Sequence, residues 1–136
     1  MQRVPSRLRL RTRASYVALA LGTIALGLGV HWRGGVLSST FRDVLGDALW
    51  AAMVAWWIGA IAPGASLRIR AATALAICVA VEVSQLYHSA VVDALRSTTA
   101  GSLILGSGFD PRDLVAYTLG VLFAVILERA GQGRPR

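Results

Sequence analysis

The chain has 136 residues, enough for one domain, of which 55% are hydrophobic and only 15% are charged. Soluble domains average roughly 25% charged residues, so the composition excludes an ordinary soluble domain and indicates a membrane protein. The formal net charge is +7, but the basic residues are all arginines that flank apolar runs, which argues against nucleic acid as a partner. The single cysteine, Cys78, can form no intrachain disulfide.

The chain begins with an arginine-rich tail over residues 1–13, and the apolar stretch after it predicts a first helix over residues 14–32. A basic region before an apolar run is also typical of a signal peptide. A cleavage site would need small residues, whereas His31, Trp32 and Arg33 follow the apolar run. We therefore favour a retained signal-anchor helix.

Three further segments are bounded by helix signals, and each is near the ~17–25 residues that cross a bilayer. Pro63 and Gly64 end the first of them, because neither residue favours continuation of a helix. In the last segment Asp110 is a good N-cap and Pro111 occupies the first helical position. The predicted helices cover residues 41–62, 67–88 and 111–128.

The stretch between the third and fourth predicted helices, residues 89–110, is too short and too polar to cross a membrane. It predicts a short interfacial helix followed by a glycine-rich re-entrant or surface loop. The expected fold class is therefore all-α, an integral membrane four-helix bundle over residues 14–128 with a short tail at 129–136.

Counting arginines predicts the orientation, because cytoplasmic segments are enriched in basic residues. With the N-terminus inside, the inner segments hold ten arginines and the outer segments four. The inner ones are Arg3, Arg7, Arg9, Arg11, Arg13, Arg68, Arg70, Arg129, Arg134 and Arg136, and the outer ones are Arg33, Arg42, Arg96 and Arg112. Both termini are thus predicted to be cytoplasmic, in a multi-pass protein of the bacterial inner (plasma) membrane.

In that topology every acidic residue except Glu128 lies toward the outer side. Placing a carboxylate at membrane depth costs free energy, so such residues are candidates for a functional role. Three of them, Glu82, Asp113 and Asp47, are the predicted catalytic residues, since paired carboxylates can act as general acid and base. A structural hydrogen bond between helices is the alternative for Glu82, and Gly46 beside Asp47 predicts close approach of another helix.

The remaining site candidates are polar side chains near the same helix ends. Arg96 is the predicted anion ligand, because a guanidinium binds phosphate or carboxylate through two hydrogen bonds. Neutralising Asp93 or Glu82 is its alternative role. Gln85, Asp93, Tyr117 and His88 are the other predicted ligand-binding residues. The sequence holds no zinc signature, nucleotide-binding glycine loop or serine nucleophile elbow, and no metal or cofactor is predicted.

Several of these residues together resemble a family of small bacterial four-helix membrane proteins of unknown function, related to the VanZ-like proteins. The likeness covers about residues 30–127 and includes the glycine loop that begins at Gly106. Its motifs are Gly46-Asp47-Ala48-Leu49-Trp50, Glu82-Val83-Ser84-Gln85-Leu86-Tyr87-His88, Asp93-Ala94-Leu95-Arg96 and Asp113-Leu114 with Tyr117 and Gly120. The VanZ-like name comes from glycopeptide-antibiotic tolerance, so the resemblance implies a role in the cell envelope and supplies no reaction.

The predicted function is to handle a lipid or polyprenyl-phosphate head group in a polar pocket that faces the outer leaflet. The expected partners are the lipid bilayer and an anionic lipid head group. The sequence leaves open whether the protein forms a homo-oligomer. Three alternatives remain. They are a membrane-embedded enzyme that uses paired carboxylates on a lipid-linked substrate, a proton-coupled transporter that uses Glu82, and a structural membrane subunit whose polar residues join helices.

Overall fold

The computed structural model describes residues 6–106 and 108–132, and this part of the chain is all-α, which confirms the predicted class. Four helices are long and two are short. They are α1 (Ser6–Arg33), α2 (Ser39–Ile61), α3 (Leu67–Ser84), α4 (Ala90–Arg96), α5 (Thr99–Leu105) and α6 (Pro111–Gln132), with a 3-10 turn at Gly34–Val36. Relative to the prediction, α1 begins inside the basic tail and α3 ends four residues earlier, at a C-cap on Gln85.

Hydroxyl side chains set the start of four helices. Ser38, Ser66, Ser89 and Thr98 each accept a hydrogen bond from the backbone N–H three residues later, at 3.0–3.3 Å. Such caps satisfy one of the four N–H groups that a helix leaves without a partner at its start. The short helices α4 and α5 therefore have defined beginnings although neither buries a residue completely.

Helix α2 is the centre of the bundle, since it contacts α1, α3 and α6, and α3 also packs on α6. The closest approach occurs at Gly120, where an added Cβ would overlap the backbone carbonyl of Ala48 in α2. The ring of Tyr16 packs in the same way against Gly59. Gly46 instead has open space beside it, so the predicted close helix approach there is wrong.

Three helices are long and apolar enough to cross a membrane: Arg13–Arg33, Ser39–Ile61 and Pro111–Gly131. Many of their large apolar side chains point outward, which suits contact with lipid tails. These features indicate a membrane protein. Helix α3 has 18 residues that include Arg68, Arg70 and Glu82 and is not one of the three, so a fourth crossing stays a prediction.

Candidate functional site: an acid-lined cavity

A cavity of about 820 Å³ lies beside the end of the bundle where α2 and α6 begin. Its apolar wall comes largely from α1, α2 and α5, and its polar wall from α2, the end of α3 and the start of α6. The polar lining residues are Thr23, His31, Arg42, Asp43, Asp47, Gln85, Ser102, Asp110, Asp113 and Tyr117. Four of the six acids predicted on the same side of the membrane thus share one cavity, along with two of the predicted ligand-binding residues, Gln85 and Tyr117.

Asp47 and Asp113 form a carboxyl pair across two helices. Asp47 lies in α2 and Asp113 in the first turn of α6, and their carboxyl groups are within hydrogen-bond reach of each other. Both residues are only partly buried, so a ligand in the cavity can reach them. A pair of this kind can share a proton, act as general acid and base, or bind a cationic group. Among the described residues, no group of three or more His, Cys, Asp and Glu is arranged to hold a metal ion.

Glu82 lies behind the cavity wall, completely buried, with each carboxylate oxygen occupied. Its Oε1 accepts a hydrogen bond from the backbone N–H of Asp110 at 2.6 Å. Its Oε2 accepts from the Tyr117 hydroxyl at 3.0 Å and from Gln85 Nε2 at 3.2 Å. Glu82 therefore joins α3 to α6 and to the loop before α6, and through them it positions three cavity-lining residues.

Gln85 is nearly as buried as Glu82, with only 3% of the residue exposed, yet its amide is only half satisfied. While Nε2 donates to Glu82, Oε1 has no hydrogen-bond partner in the described parts of the chain. Gly106 packs directly on this amide, in a left-handed conformation with φ 71°. Two reasons require glycine at this position: a Cβ would overlap the Gln85 amide, and the positive φ disfavours other residues.

Arg96, Asp93 and His88 lie outside the cavity lining. The Arg96 guanidinium donates to the backbone carbonyls of Ser84 at 2.9 Å and Tyr87 at 2.8 Å, so it holds the carboxyl end of α3. It also lies 3.6 Å from Asp93, which is the ion pair considered from the sequence. His88 Nδ1 is 3.1 Å from the same carboxylate oxygen, Asp93 Oδ1, and the side chains of His88 and Asp93 are both exposed.

A second polar cluster, which the sequence analysis did not identify, lies at the opposite end of the bundle. Arg70 forms two contacts with the Glu128 carboxylate, at 2.5 and 3.2 Å, and also donates to the Tyr16 hydroxyl at 2.8 Å. Tyr16 in turn donates to Glu128 at 2.6 Å. The cluster connects α1, α3 and α6. Pairing Glu128, the one acid on the predicted inner side, with the arginines predicted there would have suggested this cluster.

Fold and site together define a small helical membrane protein with an acid-lined cavity at one end of its bundle and a buried ion pair at the other. The family model described as a protein of unknown function (DUF2809) matches residues 36–121, and the chain belongs to this family. That span contains every predicted site residue. The predicted membership of an uncharacterised small family is thereby confirmed. No solved structure matches the chain.

Proposed function

We propose that this protein binds the polar head group of a lipid or lipid-linked molecule in the acid-lined cavity, at the outer side of the bacterial inner membrane. The observation that carries the proposal is that the cavity has one apolar wall and one polar wall. Its volume of about 820 Å³ falls within the range of about 300–1,000 Å³ typical of ligand sites. An amphiphile suits such a space better than a wholly polar or wholly apolar molecule.

The apolar wall supports a lipid-like ligand. Ile24 and Leu28 of α1 and Met53 of α2 line the cavity, and both helices are apolar enough to cross a membrane. Phe109 adds an aromatic surface from the loop. An acyl chain held against these side chains would keep its apolar environment while the head group reached the carboxyl pair.

The position of the cavity relative to the membrane rests on the topology of α3. Arg70 at its start contacts Tyr16 and Glu128, whereas Glu82 near its end contacts the start of α6. Helix α3 therefore runs antiparallel beside α6, and its 18 residues rise about 27 Å, close to the ~30 Å of a hydrocarbon core. This supports four crossings, with the cavity at the end that has few arginines.

We expect reporter fusions to give a cytoplasmic signal at Arg136 and an external signal near Thr98. The physical reason is the ten-to-four distribution of arginines combined with four crossings. A reporter active only in the cytoplasm and one active only outside should be fused at each position. An external signal at Arg136 would contradict the predicted orientation and would place the cavity away from the outer leaflet.

The anionic head group expected from the sequence has less support than the lipid itself. Arg96 was the proposed phosphate ligand, but two of its nitrogens already bind backbone carbonyls and it does not line the cavity. Arg42 is the arginine in the lining. The relation to VanZ-like proteins and a role in the cell envelope belong to the same proposal, and they agree with an outward-facing lipid site.

A second candidate is a membrane-embedded enzyme that acts on a lipid-linked substrate. The carboxyl pair of Asp47 and Asp113 favours it, because two neighbouring carboxyl groups can exchange a proton with a substrate. Glu82, also predicted as catalytic, is fully occupied by three hydrogen-bond donors. Under this reading Glu82 would be a positioning residue, and the chemistry would rest on the pair.

Lipid retention tests the binding proposal. We expect the protein, purified in a mild nonionic detergent, to retain a lipid or lipid-linked molecule that native mass spectrometry detects on the intact complex. Asp47→Asn keeps the shape of the side chain but removes its charge from the cavity. Because that charge would contact the head group, the variant should retain severalfold less of the bound molecule.

Asp93→Asn is the matched control, since it is the same substitution at an exposed acid outside the cavity lining. It should retain lipid like the unmodified protein. Equal retention in all three proteins would contradict the site and favour a structural membrane subunit. Recovery of a chemically altered lipid after incubation, lost in Asp113→Asn, would instead favour the enzyme.

A further inference from the structure

The polar end of the cavity offers hydrogen-bond acceptors in excess of donors. Four aspartates line it, and an ionised carboxylate only accepts hydrogen bonds. Resting on the function proposed above, we propose that the bound head group is a primary ammonium, carried by a lipid-like amphiphile. The site would hold the –NH₃⁺ group between the Asp47 and Asp113 carboxyls and the Gln85 amide oxygen.

Gln85 supplies an observation independent of the acids. Its Nε2 is turned toward Glu82, so Oε1 is the part of the amide that remains for a ligand. This oxygen is buried and has no partner within the described residues, and the side chain lines the cavity. A buried acceptor without a donor is unfavourable, and an N–H group of a ligand would satisfy it.

The charge around the cavity favours a cation over an anion. In the part of the chain that the structure describes, the lining contains one guanidinium, that of Arg42, and four carboxyl groups, those of Asp43, Asp47, Asp110 and Asp113. The Glu82 carboxyl group lies directly behind the wall. The start of α6, which would otherwise attract an anion, is already occupied. Asp110 Oδ1 accepts from the Arg112 N–H at 2.9 Å, and Glu82 accepts from the Asp110 N–H.

The acceptors also distinguish a primary from a quaternary ammonium. A primary ammonium carries three N–H donors and can bind several acceptors at once, whereas a trimethylammonium group carries none. Quaternary groups are usually bound by the open faces of several aromatic rings. Here the Trp50 and Tyr117 rings contact each other, with centroids 5.8 Å apart, which covers part of the aromatic surface.

Three amphiphiles with one tail and different head groups test the inference: dodecylamine, dodecyltrimethylammonium and dodecyl phosphate. Binding to the full-length protein in nonionic detergent is measured as a dissociation constant, with native mass spectrometry to confirm stoichiometry. We expect dodecylamine to bind at least about tenfold more tightly than the other two, because charge-assisted hydrogen bonds to carboxylates are available only to it. Asp113→Asn should weaken amine binding about tenfold, and Asp93→Asn should leave it unchanged.

Tighter binding of dodecyl phosphate, or equal binding of the trimethylammonium compound, would overturn the primary ammonium while leaving a lipid site in place. If none of the three binds and no lipid co-purifies, the proposed function itself falls. Should Asp113→Asn fail to fold, the comparison of the three head groups on the unmodified protein still decides, because it needs no variant.

Discussion

Arg70→Met is expected to destabilise the protein strongly although the site lies far from the cavity. The substitution removes the Arg70 guanidinium from the Glu128 carboxylate, and the side chains of both residues are less than a tenth exposed. Breaking a buried ion pair by removing one partner typically lowers the free energy of unfolding by about 3–5 kcal/mol. Thermal unfolding in detergent should show a midpoint lower by roughly 10 °C or more.

Arg68→Met is the matched control, because Arg68 lies on the same helix two residues earlier and is exposed. Its unfolding midpoint should change little. The double variant Arg70→Met with Glu128→Met should regain a large part of the loss, since apolar residues can replace a buried pair without leaving a charge behind. An Arg70→Met protein as stable as the Arg68→Met protein would contradict a stabilising role for the pair.

The convergence of acids was predictable because helix ends and charge patterns are both visible in the sequence. Asp47 lies about two turns into its helix, and Asp113 follows an N-cap and a proline, so the sequence predicts both near the same membrane surface. Antiparallel neighbours joined by short connections then bring such positions together. The structure pairs these two residues, and four acids line one cavity.

The hydrogen-bond partners of individual side chains were less predictable. They depend on side-chain rotations that move polar atoms by a few ångströms, and sequence periodicity does not determine these rotations. Arg96 has the spacing of an anion ligand, yet it binds the backbone carbonyls at the end of α3. The sequence could not show that α3 ends at Ser84 and exposes those carbonyls. The sequence predicts a close helix approach at Gly46, but the structure has this contact at Gly120, on the facing helix.

Glu82→Ala is expected to have the largest effect on folding of any substitution at the cavity end of the bundle. It removes the acceptor for three donors: the Tyr117 hydroxyl, the Gln85 amide and the Asp110 N–H. Each buried group left without a partner costs about 1–3 kcal/mol. The variant should therefore express poorly or unfold at a temperature well below that of the unmodified protein. Asp93→Ala, which changes an exposed acid, should show neither effect.

Glu82→Gln distinguishes a positioning role from direct catalysis or ligand contact. The amide keeps one oxygen acceptor but replaces the other with an N–H group, which meets the donors that Glu82 now satisfies. If Glu82 positions the wall, this variant should show a lowered unfolding midpoint together with weaker lipid retention, because Tyr117 and Gln85 lose their fixed places. A normal midpoint with complete loss of retention or activity would instead make Glu82 a group that contacts the ligand itself. The first result is expected, since Glu82 is fully buried and its oxygens are already bound.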